Sequence, residues 1–188
     1  QLARETGDRT LANDLADTLS ELSGEDVGRL RSLARTLKDT GEARRAADVL
    51  WKALRLQPSY RSLAAEIAAI ESSLGRPERA VHAFEISLEG EYVSPRAYLS
   101  AAVQLERHVG VRAALPFFET AADRGSSSAV ATYLSALMRA GRHRQLEERL
   151  SRFLASHGTS PTSIEMLLSR LPMSELPESL RTDIVEAY

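Results

Sequence analysis

The stretch LRSLARTLKDTGEARRAADVLWKALRLQP, residues 30–58, decides the fold. Leu30, Leu33, Ala34 and Leu37 stand at i, i+3, i+4 and i+7, one apolar stripe of a helix running from roughly Val27 to Thr40. Gly41 breaks that helix. Ala46, Val49, Leu50, Ala53 and Leu56 then form a second helical series, which Pro58 ends. A lone pair of such short helices cannot bury both of its faces, so this unit requires neighbours.

The neighbours are written in the same columns. Gly7, Gly41 and Gly75 are 34 residues apart, and Ala12, Ala46, Ala80 and Ala114 keep that spacing. Four residues after each alanine stand Ala16, Leu50, Phe84 and Phe118, and three beyond those come Leu19, Ala53, Ser87 and Ala121. The length of 188 residues holds about 5.5 such periods. The small column lets two helices approach closely, and the bulkier residue one turn on fills the space between them. The second period reads Ala64, Ile67 and Ala68, then Gly75 and Pro77, then Ala80, Val81, Phe84 and Leu88. The third opens on Ser94-Pro95, a capping residue followed by a first-turn proline. Pro116 would break a helix interior, so the following helix is expected to start near Arg112, with Pro116 in or just past its first turn. A fourth pair carries Val130, Tyr133, Leu134 and Leu137, then Gly141, then Leu146, Leu150 and Phe153. A short helix ending near Arg170 and a last one from about Pro177 to Tyr188 follow. No period-2 alternation marks a strand. The chain is expected to be all-α.

Leu30-x2-Leu33-Ala34-x2-Leu37, Gly41, Ala46-x3-Leu50, Ala53 and Pro58 resemble the tetratricopeptide repeat (TPR), and KALRLQP at residues 52–58 resembles the end of one unit. The pattern departs at Glu71, where a tyrosine or another apolar residue is usual, and at Tyr92, in place of the closing proline. The resemblance is strong over 25–122, weaker over 1–24 and 123–158, and absent beyond. It implies a right-handed superhelical solenoid of antiparallel helix pairs, about five TPR-like repeats with the last ones degenerate, whose first helices line a concave groove. The expected organisation is one domain over 1–188. It divides into a partial first repeat at 1–24, repeats at 25–58, 59–94, 95–126 and 127–158, and capping helices at 159–188. Leu2 and Ala3 stand where a first helix should be finishing, as in a segment taken from a longer protein.

Composition narrows the chemistry. The net charge is −2 with a pI near 6.1, so no global basic field attracts nucleic acid or acidic lipid. There is no cysteine, which excludes disulfides, thiolate metal sites and thiol catalysis. No apolar run is long enough to span a membrane, and no signal peptide is visible. The first residue is Gln1 rather than Met, so a targeting segment is not observable; the expectation is a bacterial, cytoplasmic protein. His82, His108, His143 and His157 lack a metal-ligand spacing, phosphate-binding and nucleophile-elbow motifs are absent, and the carboxylates are all expected at polar positions of the helical wheels. No catalytic residue, cofactor or metal site is therefore expected.

The candidate sites are surfaces. With Leu30, Leu33, Ala34 and Leu37 facing the core, Arg31, Arg35 and Lys38 lie about 100° round the helix. The TPR resemblance turns that side into the groove. The corresponding residues further along are Ala65, Ala69 and Ser72, then Leu99, Val103 and Glu106, then Ala131, Ser135 and Met138. The groove is thus expected to be basic at one end and small or apolar beyond, suiting an extended or helical protein or peptide segment with an acidic residue near Arg31 and Arg35 and apolar side chains over Leu99 and Val103. A competing outcome is that these arginines pair with nearby acids such as Glu66. Some TPR domains grip a terminal carboxylate with polar residues of successive first helices; Ala65 and Ala69 do not support that clamp here. Trp51 either packs on the following repeat or serves as a surface anchor for another chain. Five arginines between 139 and 152 form either a solvated face or a basic patch, and without interleaved aromatics they do not favour RNA. The function expected is a non-catalytic protein–protein interaction scaffold. The alternative is a docking or oligomerisation domain of a larger enzyme, such as a bacterial glycosyltransferase or polysaccharide polymerase, contacting a neighbouring domain of its own chain.

Overall fold

Within each of two units, helices pack on one another in antiparallel-pair fashion. The structure, a computed structural model, describes residues 26–90, 93–125, 127–157 and 161–187. The partial repeat expected at 1–24 and Tyr92 lie outside the described residues. Among the described residues there are α-helices and one short 3-10 helix, and no strand. The chain divides into two units, one ending at Glu89 and the other beginning at Gly90.

The first unit holds α1 (Val27–Asp39), α2 (Ala43–Leu56), α3 (Arg61–Ser73) and α4 (Pro77–Ser87). Each packs on the next. Asp26 caps α1, its carboxylate accepting the Arg29 N–H at 3.0 Å. Pro77 opens α4 at a position where its missing N–H costs nothing. The stripe Leu30, Leu33, Ala34 and Leu37 is buried, as are Ala46, Ala80 and the larger Leu50 and Phe84 beside them. Gly41 and Gly75 have positive φ (85° and 65°) and close the same cap. The Glu42 N–H reaches the Leu37 carbonyl (2.7 Å), and the Arg76 N–H reaches the Glu71 carbonyl (3.0 Å). These bonds satisfy carbonyls that a helix end leaves without partners, and only glycine adopts the required backbone at little cost.

The second unit holds α5 (Pro95–His108), α6 (Val111–Arg124), α7 (Ser127–Arg139), α8 (His143–His157), α9 (Pro161–Leu168), a 3-10 turn (Met173–Glu175) and α10 (Glu178–Ala187). Ser94 caps α5, accepting the Ala97 N–H at 3.3 Å. Helix α6 begins at Val111, one residue before the expected start, and continues through Pro116, whose carbonyl accepts the Thr120 hydroxyl at 2.9 Å. Ala114 and Phe118 are fully buried. The positive-φ glycine cap returns at Gly141 (φ 69°), with the Arg142 N–H on the Leu137 carbonyl at 2.9 Å. After it, α9 packs on α7 and α10 packs on α8, burying Ile164, Leu167, Leu180 and Ile184.

One expectation fails. The carboxylates do not all sit on polar positions: Glu71, in the last turn of α3, has 0 % exposure. Its position in the repeat is an interior one, and the departure from the TPR pattern there places a charge inside the unit.

Candidate functional site

The first helices carry the candidate residues, and the register of each helix decides which of them reach solvent. In the first unit Arg35 and Lys38 are exposed on α1, and Ala65 and Ala69 are exposed on α3. Arg35, Lys38 and Ala69 border one depression of about 250 Å³, whose apolar floor is Ala34, Leu50 and Ile70 and whose further wall is Glu66. Neither Arg35 nor Lys38 has an ion pair or side-chain hydrogen bond among the described residues.

Arg31 is held differently. It is half-buried and bonds the Glu66 carboxylate, and its Nη1 donates to the Tyr60 hydroxyl at 2.9 Å. The guanidinium also lies 5.6 Å from the Tyr60 ring centre, a cation–π distance. The Glu66 carboxylate, by hydrogen bond and by charge, raises the Arg31 pKa above its ordinary value. Arg31 therefore neutralises the one acid on the depression's wall, and the positive charge left at the rim belongs to Arg35 and Lys38. Ser72, expected on the groove side, is buried at 1 % exposure.

Trp51 is half-buried and engaged by the following repeat. Its ring stacks on His82 with centres 5.7 Å apart and planes 12° apart, and the Arg79 guanidinium lies 5.8 Å from it. Its indole N–H donates to Glu71 Oε1 at 3.1 Å. Glu71 receives two further donors, Arg79 Nε at 2.8 Å and Arg76 Nη1 at 3.4 Å. The buried carboxylate is thus met by two guanidinium groups and an indole, which is the condition under which a charge can stand inside a protein. Sequence reasoning flagged Glu71 as a departure and Trp51 as unusual, but did not join them. They are 20 residues apart, and only the packing of α2 on α3 brings them together.

In the second unit Leu99 is half-exposed and Val103 exposed, both on α5. Ser135 on α7 accepts a hydrogen bond from Arg139 Nη1 at 2.6 Å, and the same guanidinium holds Glu106 at 2.8 Å. Ala131, expected in the groove, is buried. Arg144 pairs with Glu148 at 3.2 Å, and Arg149 pairs with Asp123 while lying 5.7 Å from the Tyr133 ring centre. Three of the five arginines between 139 and 152 are thereby matched by acids, which leaves little of a basic patch. Tyr133 itself is buried, and burial, followed by the nearby Glu119, pushes its phenol up to about 12. Among the described residues no three histidines or carboxylates converge as a metal site would require, and no helix is long and apolar enough to cross a membrane.

No protein-family model matches the chain, and no curated protein matches it. Solved structures do. The MamA protein shares 14 % identity over 87 % of this chain and 88 % of its own, with a TM-score of 0.52. The MamA RS-1 ArsTM double mutant shares 16 % identity over 89 % and 92 %, with a TM-score of 0.50. YrrB, a TPR protein with an unusual peptide-binding site, is also similar at 15 % identity over 92 % and 91 %, with a TM-score of 0.48. At such identity the likeness concerns the fold. Joined to the 34-residue columns, the glycine caps and the helix pairs of both units, it establishes that the chain has the fold of a TPR-like helical array.

Proposed function

We propose that this chain is a binding scaffold and that the depression on the first unit receives a peptide or protein segment, with an acidic side chain set beside an apolar one. The observation that carries this reading is the pairing pattern around the depression. Arg31 is spent on Glu66 and Tyr60, whereas Arg35 and Lys38 stand exposed and unmatched above an apolar floor. Two cations over Ala34, Leu50 and Ile70 favour a carboxylate whose neighbour can enter the hollow. A volume of about 250 Å³ suits a side chain rather than a whole metabolite. The one carboxylate of the depression, Glu66, is taken up by Arg31, and the activity inferred is recognition.

The experiment is selection of bound peptides from a random display library on the intact chain, followed by titration of the winners. Sequences that place Asp or Glu next to an apolar residue should be enriched. Arg35→Glu combined with Lys38→Glu should weaken them at least about tenfold, most strongly at low salt where screening is least. Winners without an acidic residue, or equal binding by the double variant, would remove the site.

A further inference from the structure

The second helices of the first unit carry opposite charges in the same columns of the repeat. Arg44, Trp51 and Arg55 stand at i, i+7 and i+11 on one face of α2, and 34 residues on Glu78, Glu85 and Glu89 repeat that spacing along α4 and just past its end. Arg44, Arg55, Glu78 and Glu89 are exposed, and none has an ion pair or side-chain hydrogen bond among the described residues. Helix electrostatics does not account for all of them. Arg44 lies in the first turn of α2 and Glu89 beyond the last turn of α4, where the helix dipole opposes each charge. Between the charged ends lies an aromatic centre, the half-buried Trp51 stacked on the exposed His82.

The two helices run parallel. Asp48 meets Arg79 at 3.1 Å and Trp51 stacks on His82, and both pairs are 31 residues apart, so residues with that separation are level. Residues of one column are then offset by three positions, about 4.5 Å along the axis, which an arginine and a glutamate side chain can span. A second copy turned about a two-fold axis along these helices lays its α4 on α2 and its α2 on α4. Arg44 and Arg55 then approach the partner's Glu78 and the partner's Glu89, and the reverse pairs form by symmetry. An axis across the helices would set α2 on α2 in reverse, with Arg44 against Arg55. Charge therefore selects the first arrangement, and the face is self-complementary, as an isologous interface requires. Because the two signs lie on adjacent helices, their fields cancel within a short distance, and the face attracts neither a phosphate backbone nor an anionic membrane.

We propose that the outer face of α2 and α4 docks the same face of a second copy of this chain. The dimer has its two-fold axis along the helices, Trp51 and His82 at its centre and arginine–glutamate pairs at both ends. The site lies wholly within the first unit and shares no residue with the depression bounded by Arg35 and Lys38.

Sedimentation equilibrium of the intact chain, from about 1 µM to about 1 mM, should show the mass rising from one chain toward two, and less so at high salt. Arg44→Glu with Arg55→Glu makes both helices acidic, and Glu78→Arg with Glu89→Arg makes both basic; each variant alone should stay monomeric. An equimolar mixture of the two should dimerise, because each then meets the opposite sign on both helices. All four changes in one chain exchange the signs and should restore the dimer. Circular dichroism should match the parent throughout, and Arg35→Glu with Lys38→Glu should dimerise like the parent. A measurement free of variants couples carboxylates to lysine with a carbodiimide in a mixture of light and heavy-nitrogen-labelled parent. Lys52 of one isotope should be joined to an acid of α4 of the other. A parent that is monomeric up to about 1 mM, like-charge variants that dimerise as the parent does, or a mixture of folded variants that stays monomeric would overturn the proposal. Mixed-isotope products that never include α4 would overturn it as well.

Discussion

Leu105 and Glu71 hold the same place in successive repeats, and they solve the same problem in opposite ways. Both have 0 % exposure, as does Leu137 one period further, and Leu37 at the start of the column is also buried. At all four positions the backbone carbonyl receives a helix-ending N–H: from Glu42 to Leu37, from Arg76 to Glu71, from Gly110 to Leu105 and from Arg142 to Leu137. The backbone role is therefore constant. The side-chain role is not. Leu105 fills its space with carbon, whereas Glu71 brings a carboxylate that requires Trp51, Arg76 and Arg79 around it. One repeat on, those three are Glu85, Gly110 and Ala113, none of which could supply the donors. A solenoid can place a charge in its interior where neighbouring repeats co-vary with it, because each repeat is packed only by those beside it.

The severest way to break the comparison is Leu105→Glu. It buries a carboxylate where Gly110 and Ala113 stand in the repeat positions of the two arginines, and a cost of about 3–5 kcal/mol should melt the second unit at ordinary temperature. Loss of much of the helical circular dichroism is the expected reading; a folded variant of parental melting temperature would show that the column is not closed to water. Arg79→Ala comes next. It removes the 2.8 Å donor to Glu71 and the cation over Trp51, at about 2–3 kcal/mol after allowance for the exposed side of Arg79. Adding Glu71→Leu to Arg79→Ala should restore most of that stability, since the apolar solution of Leu105 is then reproduced. Trp51, the only tryptophan, lies in the first unit and reports its unfolding by fluorescence. If the double variant is no more stable than the single one, the cluster contributes through packing and not through charge.

Ala80→Leu probes the small column that both units share. Ala80 is fully buried, and overpacking there should cost about 1–3 kcal/mol, read as a lower melting temperature. A fourth measurement contrasts the buried ionisable groups of the two units. Tyr133 is buried as a neutral phenol with its pKa raised from 10.0 to about 12. Between these values the unfolded chain has lost a proton that the folded chain keeps, so stability falls as pH rises from about 10 to about 12. Tyr133→Phe should remove that part of the alkaline loss. An absorbance titration of the parent should show one phenol ionising later than the rest; five ordinary titrations would contradict the burial. The smallest effect expected is Gly41→Ala, about 1–2 kcal/mol for forcing a side chain into positive φ at the cap.

Much of this molecule was readable without coordinates because its decisive interactions are local or periodic. The glycine columns set the helix ends, the Leu30–Leu37 stripe and the alanine column set the packed faces, and Ser94-Pro95 set the start of α5. Each follows from helical geometry over a few residues. The candidate surface was legible only in part. The sequence placed Arg31, Arg35 and Lys38 on one side of α1, but not which of them would be consumed by a neighbour. That depended on Glu66 and Tyr60 arriving from the next repeat.

What the sequence determined by itself is the all-α repeat, its period, its caps and its apolar faces. Those depend on backbone geometry and on side chains three or four positions apart. The tertiary structure decided the fate of the charges: Glu71 drawn inside, Arg31 spent, Arg35 and Lys38 left at a rim. A charge's free energy depends on burial and on the nearest opposite charge, and both are set by residues of other helices that packing brings close, Arg79 and Trp51 at Glu71 and Glu66 at Arg31.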